Sequence, residues 1–257
     1  MPISVVTGSA SGIGAAIAQL LQERGHQVIG VDRQEADIQG DLSSAAGRQQ
    51  VLRQLHERLD GRLDGLVLCA GLGAQVKPEN LIVSVNYFGA LELLDGLLPL
   101  LNKGQAPAAL VISSTDAASL EWATNPLAQA LSAGDEQQAG EIVLAAGEHG
   151  GFLAYAASKN ALSVAVRQRA PDWGQLGVRL NAIAPGATLT PMLQAGMQDV
   201  RYAQAIRDYA SPLGRNAEPH EIAEAAAFLL SPQASFIHGA QLFVDGGIDA
   251  QMRPTSL

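Results

Sequence analysis

Ile3-Ser4-Val5-Val6-Thr7-Gly8-Ser9-Ala10-Ser11-Gly12-Ile13-Gly14 decides the fold: a short β-branched run enters a glycine-rich turn, and residues of helical period follow to Arg24. A glycine-rich turn at a helix N-terminus suits a pyrophosphate, because free N–H groups and the positive end of the helix dipole face the anion while glycine lets the backbone approach. By itself the pattern is also that of any well-packed strand-to-helix turn. The second signal is Val31-Asp32, eighteen positions beyond Gly14. There a dinucleotide fold places an acid on the adenosine ribose hydroxyls. A carboxylate at that point repels a 2′-phosphate, so Asp32 favours NAD over NADP, and the neighbouring Arg33 softens the preference.

Outward from this unit, short runs at Gln27 to Val31, Gly65 to Cys69, Ala109 to Ser113, Arg179 to Ala184 and Gln241 to Val244 read as further strands. Gly12 to Arg24, Ser44 to Leu59, Leu81 to Leu101, Leu153 to Trp173 and Pro219 to Leu230 carry apolar residues at helical spacing. Near-continuous apolarity in the strands means burial on both faces. The expected fold is therefore α/β, a single doubly wound Rossmann-type domain over 1–257 with a parallel sheet and helices on both faces. Two irregularities interrupt it. Asp32 and Asp41 are too close to hold a crossover helix before a short strand near Ala36 to Gln39, and Thr115 to Gly151 forms an insert expected to contain helical pieces.

The 257 residues are 47% hydrophobic, which excludes disorder, and the net charge of −9 without any basic cluster excludes nucleic acid as a partner. Gly, Pro or charged residues cut every apolar stretch, so no membrane association is expected, and the absence of a basic leader points to the cytoplasm. Thr255-Ser256-Leu257 lacks the lysine of a peroxisomal tail. The single cysteine, Cys69, reads as a small buried hydrophobe, and the five scattered histidines give no metal site.

Tyr155 and Lys159 are four residues apart, on one face of a helix and one turn apart. A phenol titrating near 10 is a poor base at neutral pH. An adjacent ammonium is expected to favour the phenolate and make Tyr155 a usable proton donor or acceptor for an alcohol oxygen.

Taken together these segments resemble the short-chain dehydrogenase/reductase family along nearly the whole chain. Thr7-Gly8-(x)3-Gly12-Ile13-Gly14 is similar to its cofactor turn, Cys69-Ala70-Gly71 to its Asn-Ala-Gly segment with cysteine in first place, and Val85-Asn86 to its structural asparagine. Ser113-Ser114 resembles the catalytic-serine strand end, Tyr155-(x)3-Lys159 the active-site pair, Pro185-Gly186-(x)3-Thr190 the nicotinamide-side loop and Asp245-Gly246-Gly247 the closing turn. The resemblance implies Tyr155 as general acid/base, Lys159 as its partner and holder of the nicotinamide ribose, Ser114 on the substrate oxygen, and Asn86 ordering a proton path behind the lysine. It implies an NAD site of Gly8, Ser11, Gly12, Ile13, Gly14, Asp32, Asp41, Leu42, Ala70, Gly71, Lys159, Pro185, Gly186, Thr188 and Thr190. Ser114 is preferred to Ser113, which should face the other side of the strand end.

Residues about 188–215 form the expected substrate lid. Met192, Leu193, Met197, Val200, Tyr202, Ile206 and Tyr209 suit a bulky hydrophobic ketone or secondary alcohol, with Met192 and Leu193 at the substrate beside Ser114 and Tyr155. The same residues also suit plain packing of the lid on the body. The short Asp32 to Asp41 segment, Val85-Asn86-Tyr87-Phe88-Gly89, the insert at about 115–151 and the ending Asp245 to Pro254 are most similar to the bacterial 3α-hydroxysteroid dehydrogenase/carbonyl reductase subgroup. That implies NAD-dependent interconversion of a 3α-hydroxysteroid and its 3-ketone, the alternative being the same chemistry on a terpene or aromatic carbinol. The insert should displace the family's usual tetramer contact, leaving a homodimer, and its Asp135, Glu136, Glu141 and Glu148 should mark a solvated face.

Overall fold

The structure is a computed structural model and describes residues 1–255. The peroxisomal-tail reading therefore falls partly outside the described residues, on Ser256 and Leu257. Strands β1 (Ile3–Thr7), β2 (Gln27–Asp32), β3 (Ile38–Gln39), β4 (Gly65–Leu68), β5 (Ala108–Ile112), β6 (Arg179–Pro185) and β7 (Gln241–Val244) form one sheet. Their order is β3-β2-β1-β4-β5-β6-β7, and every pairing is parallel.

Helices α1 (Gly12–Glu23), α2 (Ala45–Arg58), α3 (Asn80–Val83), α4 (Ala90–Leu101), α5 (Ala128–Ala133), α6 (Glu136–Ala145), α7 (Gly150–Gln175), α8 (Pro191–Gln198), α9 (Ala203–Asp208), α10 (Pro219–Leu230) and α11 (Ile248–Met252) complete the chain. Strand residues alternate between two cores, as the two-residue period requires. Val5, Leu66, Leu68, Ala109 and Val111 pack on α2, α4 and α7, while Val6, Val67, Ala108, Leu110 and Ile112 pack on α1 and α10. The connections leaving β1 and β4 run to opposite halves of the sheet, which opens a crevice at the carboxyl ends of these two strands.

No helix separates β2 from β3. The loop is closed instead by Gly30 N–H on Asp37 Oδ2 at 2.8 Å and Gly40 N–H on the Asp32 carbonyl at 2.9 Å. Between α3 and α4 the helix passes through a π segment, Ser84–Gly89. Glu92, Asp95, Gly96 and Pro99 do not end this run, contrary to the expectation that such residues cut every apolar stretch. Asn80–Leu101 is 22 residues long and contains an 18-residue window of mean hydropathy 1.5, long and apolar enough to cross a membrane, but Leu93, Leu94, Leu97 and Leu101 are buried in the core.

The insert is helical, as α5 and α6, and lies on α3 and α7. Its charges are not all solvated. Glu136 reaches Arg48, a guanidinium only 1% exposed, at 2.6 Å, with Glu92 at 2.9 Å on its other side. Asp135 caps α6 by accepting from Gln138 N–H at 2.9 Å. These contacts correct the reading of the acidic residues as a free surface: a buried arginine requires counter-charges.

Candidate active site

At the end of β1 the chain turns through Gly8, with φ of +71°, into α1. A Cβ at Gly8 would lie 2.9 Å from the Ala70 backbone, and one at Gly14 would lie 2.1 Å from the Gly8 carbonyl oxygen. Only glycine permits strand, turn and helix to approach so closely. Ser11, the N-cap of α1, makes no side-chain capping bond, so the first N–H groups of the helix lack partners and face the crevice. In the Cys-Ala-Gly segment a thiol replaces the family's strand-tying asparagine. Here Thr7 Oγ1 does the tying, accepting from Cys69 N–H at 3.1 Å and Ala70 N–H at 3.0 Å.

Asp32 ends β2 with its carboxylate held by Ala10 N–H at 3.1 Å and Gln34 N–H at 3.0 Å. Asp41 is held below the usual carboxylate range by hydrogen bonds from the Ser43 backbone and hydroxyl. One cavity of about 690 Å³ runs along the strand ends. Of the expected cofactor residues, Gly8, Ser11, Gly12, Ile13, Gly14, Asp32, Asp41, Leu42, Ala70, Gly71, Lys159, Pro185, Gly186, Thr188 and Thr190 all line it, and so do Ser114, Tyr155, Met192 and Leu193. Uncapped helix N–H groups, a backbone too close for any Cβ and an acid at the end of β2 form a cradle that fits a dinucleotide.

At the other end, α7 presents Tyr155 and Lys159 to the carboxyl end of β5. Ser114 caps the turn that follows β5, its Oγ accepting from Asp116 N–H at 3.2 Å. Ser113 instead faces α7, donating to the Lys159 carbonyl at 3.0 Å and meeting Ser163 Oγ at 2.8 Å. Asn160 Nδ2 donates to the Ala117 and Leu120 carbonyls at 2.9 and 3.0 Å and pins the turn to α7.

Asn86 lies outside the cavity wall, in the π segment, where it accepts from Leu72 N–H at 2.7 Å and donates to the Leu72 carbonyl at 3.0 Å. A Cβ at Gly71 would come within 3.3 Å of Asn86 Oδ1 and 3.5 Å of Lys159 Nζ, so both groups flank that one residue.

The electrostatics correct one expectation. Lys159 directs its ammonium to the Ile112 carbonyl at 2.7 Å, and burial brings its pKa down to about 8. Tyr155 is pushed up to about 12, first by burial and then by the charge of Asp116, with the Ser114 hydrogen bond opposing. In the protein alone, desolvation of the phenol outweighs any help from the ammonium. Cys69 is half-buried, packs against the core formed with α1 and α10 and also lines the cavity; desolvation raises its thiol to about 12, which disfavours the thiolate a nucleophile requires.

The lid consists of α8 and α9. Met192, Leu193, Tyr202, Ile206 and Tyr209 line the cavity as expected, whereas Val200 is 94% exposed and Met197 faces outward. Asp116, Phe152, Gln75 and Met252 line it too and were not foreseen. Phe152 precedes Tyr155 by three residues on the same helix face, a spacing that could have revealed it. Met252 arrives from α11 and carries no local signal.

A doubly wound parallel sheet with a dinucleotide cradle at its switch point, and a tyrosine, lysine and serine closing the far end of the same cavity, defines a nicotinamide-dependent oxidoreductase. Comparison with known proteins specifies it further. The family model described as short chain dehydrogenase matches residues 2–127, and one described as Enoyl-(Acyl carrier protein) reductase matches 138–249. The chain belongs to the short-chain dehydrogenase family. It is 57% identical over 99% of both chains to the 3-alpha-hydroxysteroid dehydrogenase/carbonyl reductase of Comamonas testosteroni. Identity to the coniferyl-alcohol dehydrogenase of a Pseudomonas strain is 31% over 95% of both. The crystal structure of 3-alpha-hydroxysteroid dehydrogenase from Pseudomonas sp. B-0831 complexed with NADH superposes with a TM-score of 0.96 at 50% identity, covering 99% of this chain and 100% of that one.

Proposed function

We propose that the protein interconverts a 3α-hydroxysteroid and the corresponding 3-ketosteroid with NAD, and reduces other hydrophobic carbonyls at the same site. The observation that carries this reading is the 57% identity over the full chain to a dehydrogenase of that description, joined to a cavity whose lid side is apolar.

When bound, NAD supplies the hydride acceptor; the chain's residues bind, orient and move the proton. The N–H groups of Gly12, Ile13 and Gly14 would hold the pyrophosphate, with Gly8 and Ser11 shaping the turn. Asp32 would take the adenosine ribose hydroxyls, Asp41 and Leu42 the adenine, and Ala70 and Gly71 its ribose. Pro185, Gly186, Thr188 and Thr190 would support the nicotinamide side. Ser114 hydrogen-bonds the substrate oxygen and Tyr155 Oη takes the alcohol proton in oxidation or returns it in reduction. Lys159 would hold the nicotinamide ribose, and Asn86 supports the path behind it.

The lid residues Met192 and Leu193 meet the apolar body of the substrate. An absorbance assay of NADH formation with 3α- and 3β-hydroxysteroids tests the reading: selective oxidation of the 3α epimer supports it, and failure to turn over either while NADH binds overturns it.

The whole chain acts as one catalytic unit, and we place it in the reducing cytoplasm, a setting that suits its single cysteine. We further propose a homodimer. The insert packs on α3 and α7, whereas edge strand β7 leaves Leu242 exposed, and Phe228 of α10 and Phe236 are exposed too, apolar groups that suit a two-fold contact. Light scattering should give the mass of two subunits, and four would refute it.

A further inference from the structure

The residue two positions beyond Ser114 is an acid placed against the reacting end of the cavity. Asp116 grips the Ser114 hydroxyl twice: its N–H donates to Ser114 Oγ at 3.2 Å, and Ser114 Oγ donates to Asp116 Oδ2 at 3.3 Å. Among the described residues no lysine, arginine or histidine nitrogen lies within 4.0 Å of this carboxylate.

Other titratable groups share its surroundings. Tyr155 and Lys159 of α7, Cys69 after β4 and Tyr209 of the lid line the same cavity, and α11, which carries Asp249 and follows Asp245, packs on the turn that holds Asp116. The two corner acids are engaged elsewhere. Asp245 accepts from Gly247 N–H at 2.9 Å and Asp249 N–H at 2.7 Å, and Asp249 takes Arg253 at 2.6 Å. Asp116 alone of the three aims its carboxylate at the serine.

We propose that Asp116 is a positioning residue for the reaction: it fixes the direction of the Ser114 hydroxyl and imposes a negative charge that no ion pair neutralises on the end of the cavity shared by Ser114 and Tyr155. This rests on the reading of Tyr155 as the proton-transferring group. A serine whose proton is drawn toward Asp116 donates less readily to Tyr155 Oη, the hydrogen bond that favours the phenolate, and to the substrate oxygen. The negative charge disfavours a second one on Tyr155, in the direction of the upward displacement of that phenol. Burial likewise lifts Asp116 above the ordinary carboxylate range, with the Ser114 bond opposing.

Asp116→Asn keeps an acceptor for Ser114 and removes the charge; Asp116→Ala removes both. In the pH profile of kcat/KM for alcohol oxidation, the acid limb should move down by about one pH unit in both variants. Only Asp116→Ala should also lose plateau kcat, with KM for NAD unchanged in either. An unmoved limb in both variants, or a uniform loss at every pH, overturns the proposal. The 13Cζ resonance of Tyr155 gives the same comparison without substrate: its titration should move to lower pH in Asp116→Asn, and an unmoved titration refutes the role of the charge. Tyr155→Phe separates the two ideas. Turnover surviving in that variant overturns the assignment of the proton-transferring group, whereas an inactive Tyr155→Phe with an unmoved limb in Asp116→Asn overturns Asp116 alone.

Discussion

Lys159 points its ammonium at the main-chain carbonyl of Ile112, 2.7 Å away, and so joins the catalytic face of α7 to the end of the inner strand β5. The side chain is 5% exposed, and its folded pKa of about 8 lies below the ordinary 10.5. Between these values the unfolded chain holds a proton that the folded chain has lost, so stability rises as pH climbs from 8 to 10.5. Below pH 8 the ammonium imposes its full cost, on the order of 3 kcal/mol, while removing it leaves the Ile112 carbonyl without its donor, an opposing loss of about 1 kcal/mol. Lys159→Met should therefore be the more stable protein at pH 7 by about 2 kcal/mol, with the gap closing toward pH 10.5, while losing about 10²-fold or more in kcat/KM. Urea denaturation across this range tests it; a variant less stable than wild type at pH 7 would refute it.

Asp32 is held in place by two backbone N–H groups while its charge faces the cavity, with Arg33 beside it. Removing the carboxylate in Asp32→Ala removes the repulsion of a 2′-phosphate and leaves the guanidinium. The ratio of Kd for NADPH to Kd for NADH should fall by about tenfold or more. Fluorescence titration of both cofactors measures it, and an unchanged ratio would show that selectivity lies elsewhere.

Arg48 ties α2 to the insert through Glu136 and to α4 through Glu92. Glu136→Ala leaves a buried guanidinium with one carboxylate and should destabilise by about 1–3 kcal/mol. Arg48→Met takes the charge out altogether and should cost less, because an apolar side chain tolerates the same burial. Equal losses in chemical denaturation would mean that the network contributes through packing and not through charge.

The sheet was legible because the strands are apolar at nearly every central position and the helices between them have their own period; even the missing helix between Asp32 and Asp41 followed from chain length. The cofactor end was legible because glycine spacing has a backbone cause, visible at Gly8 and Gly14. What sequence could not supply was the balance of forces on the pair in α7. The four-residue spacing gives proximity of Tyr155 and Lys159, but burial of both and the carboxylate of Asp116 come from β5 and the lid. Arg48 was equally hidden: nothing local marks an arginine on an amphipathic helix as buried until Glu136, 88 positions away, closes on it.

The most direct test of the account is NADH formation from a 3α-hydroxysteroid and its 3β epimer by the wild type and by Tyr155→Phe, each first shown to bind NADH. The account predicts rapid oxidation of the 3α epimer by the wild type and a loss of about 10²–10⁴-fold in the variant, with cofactor affinity kept. Turnover undiminished in Tyr155→Phe, or a wild type that binds NADH and oxidises neither epimer, would contradict it.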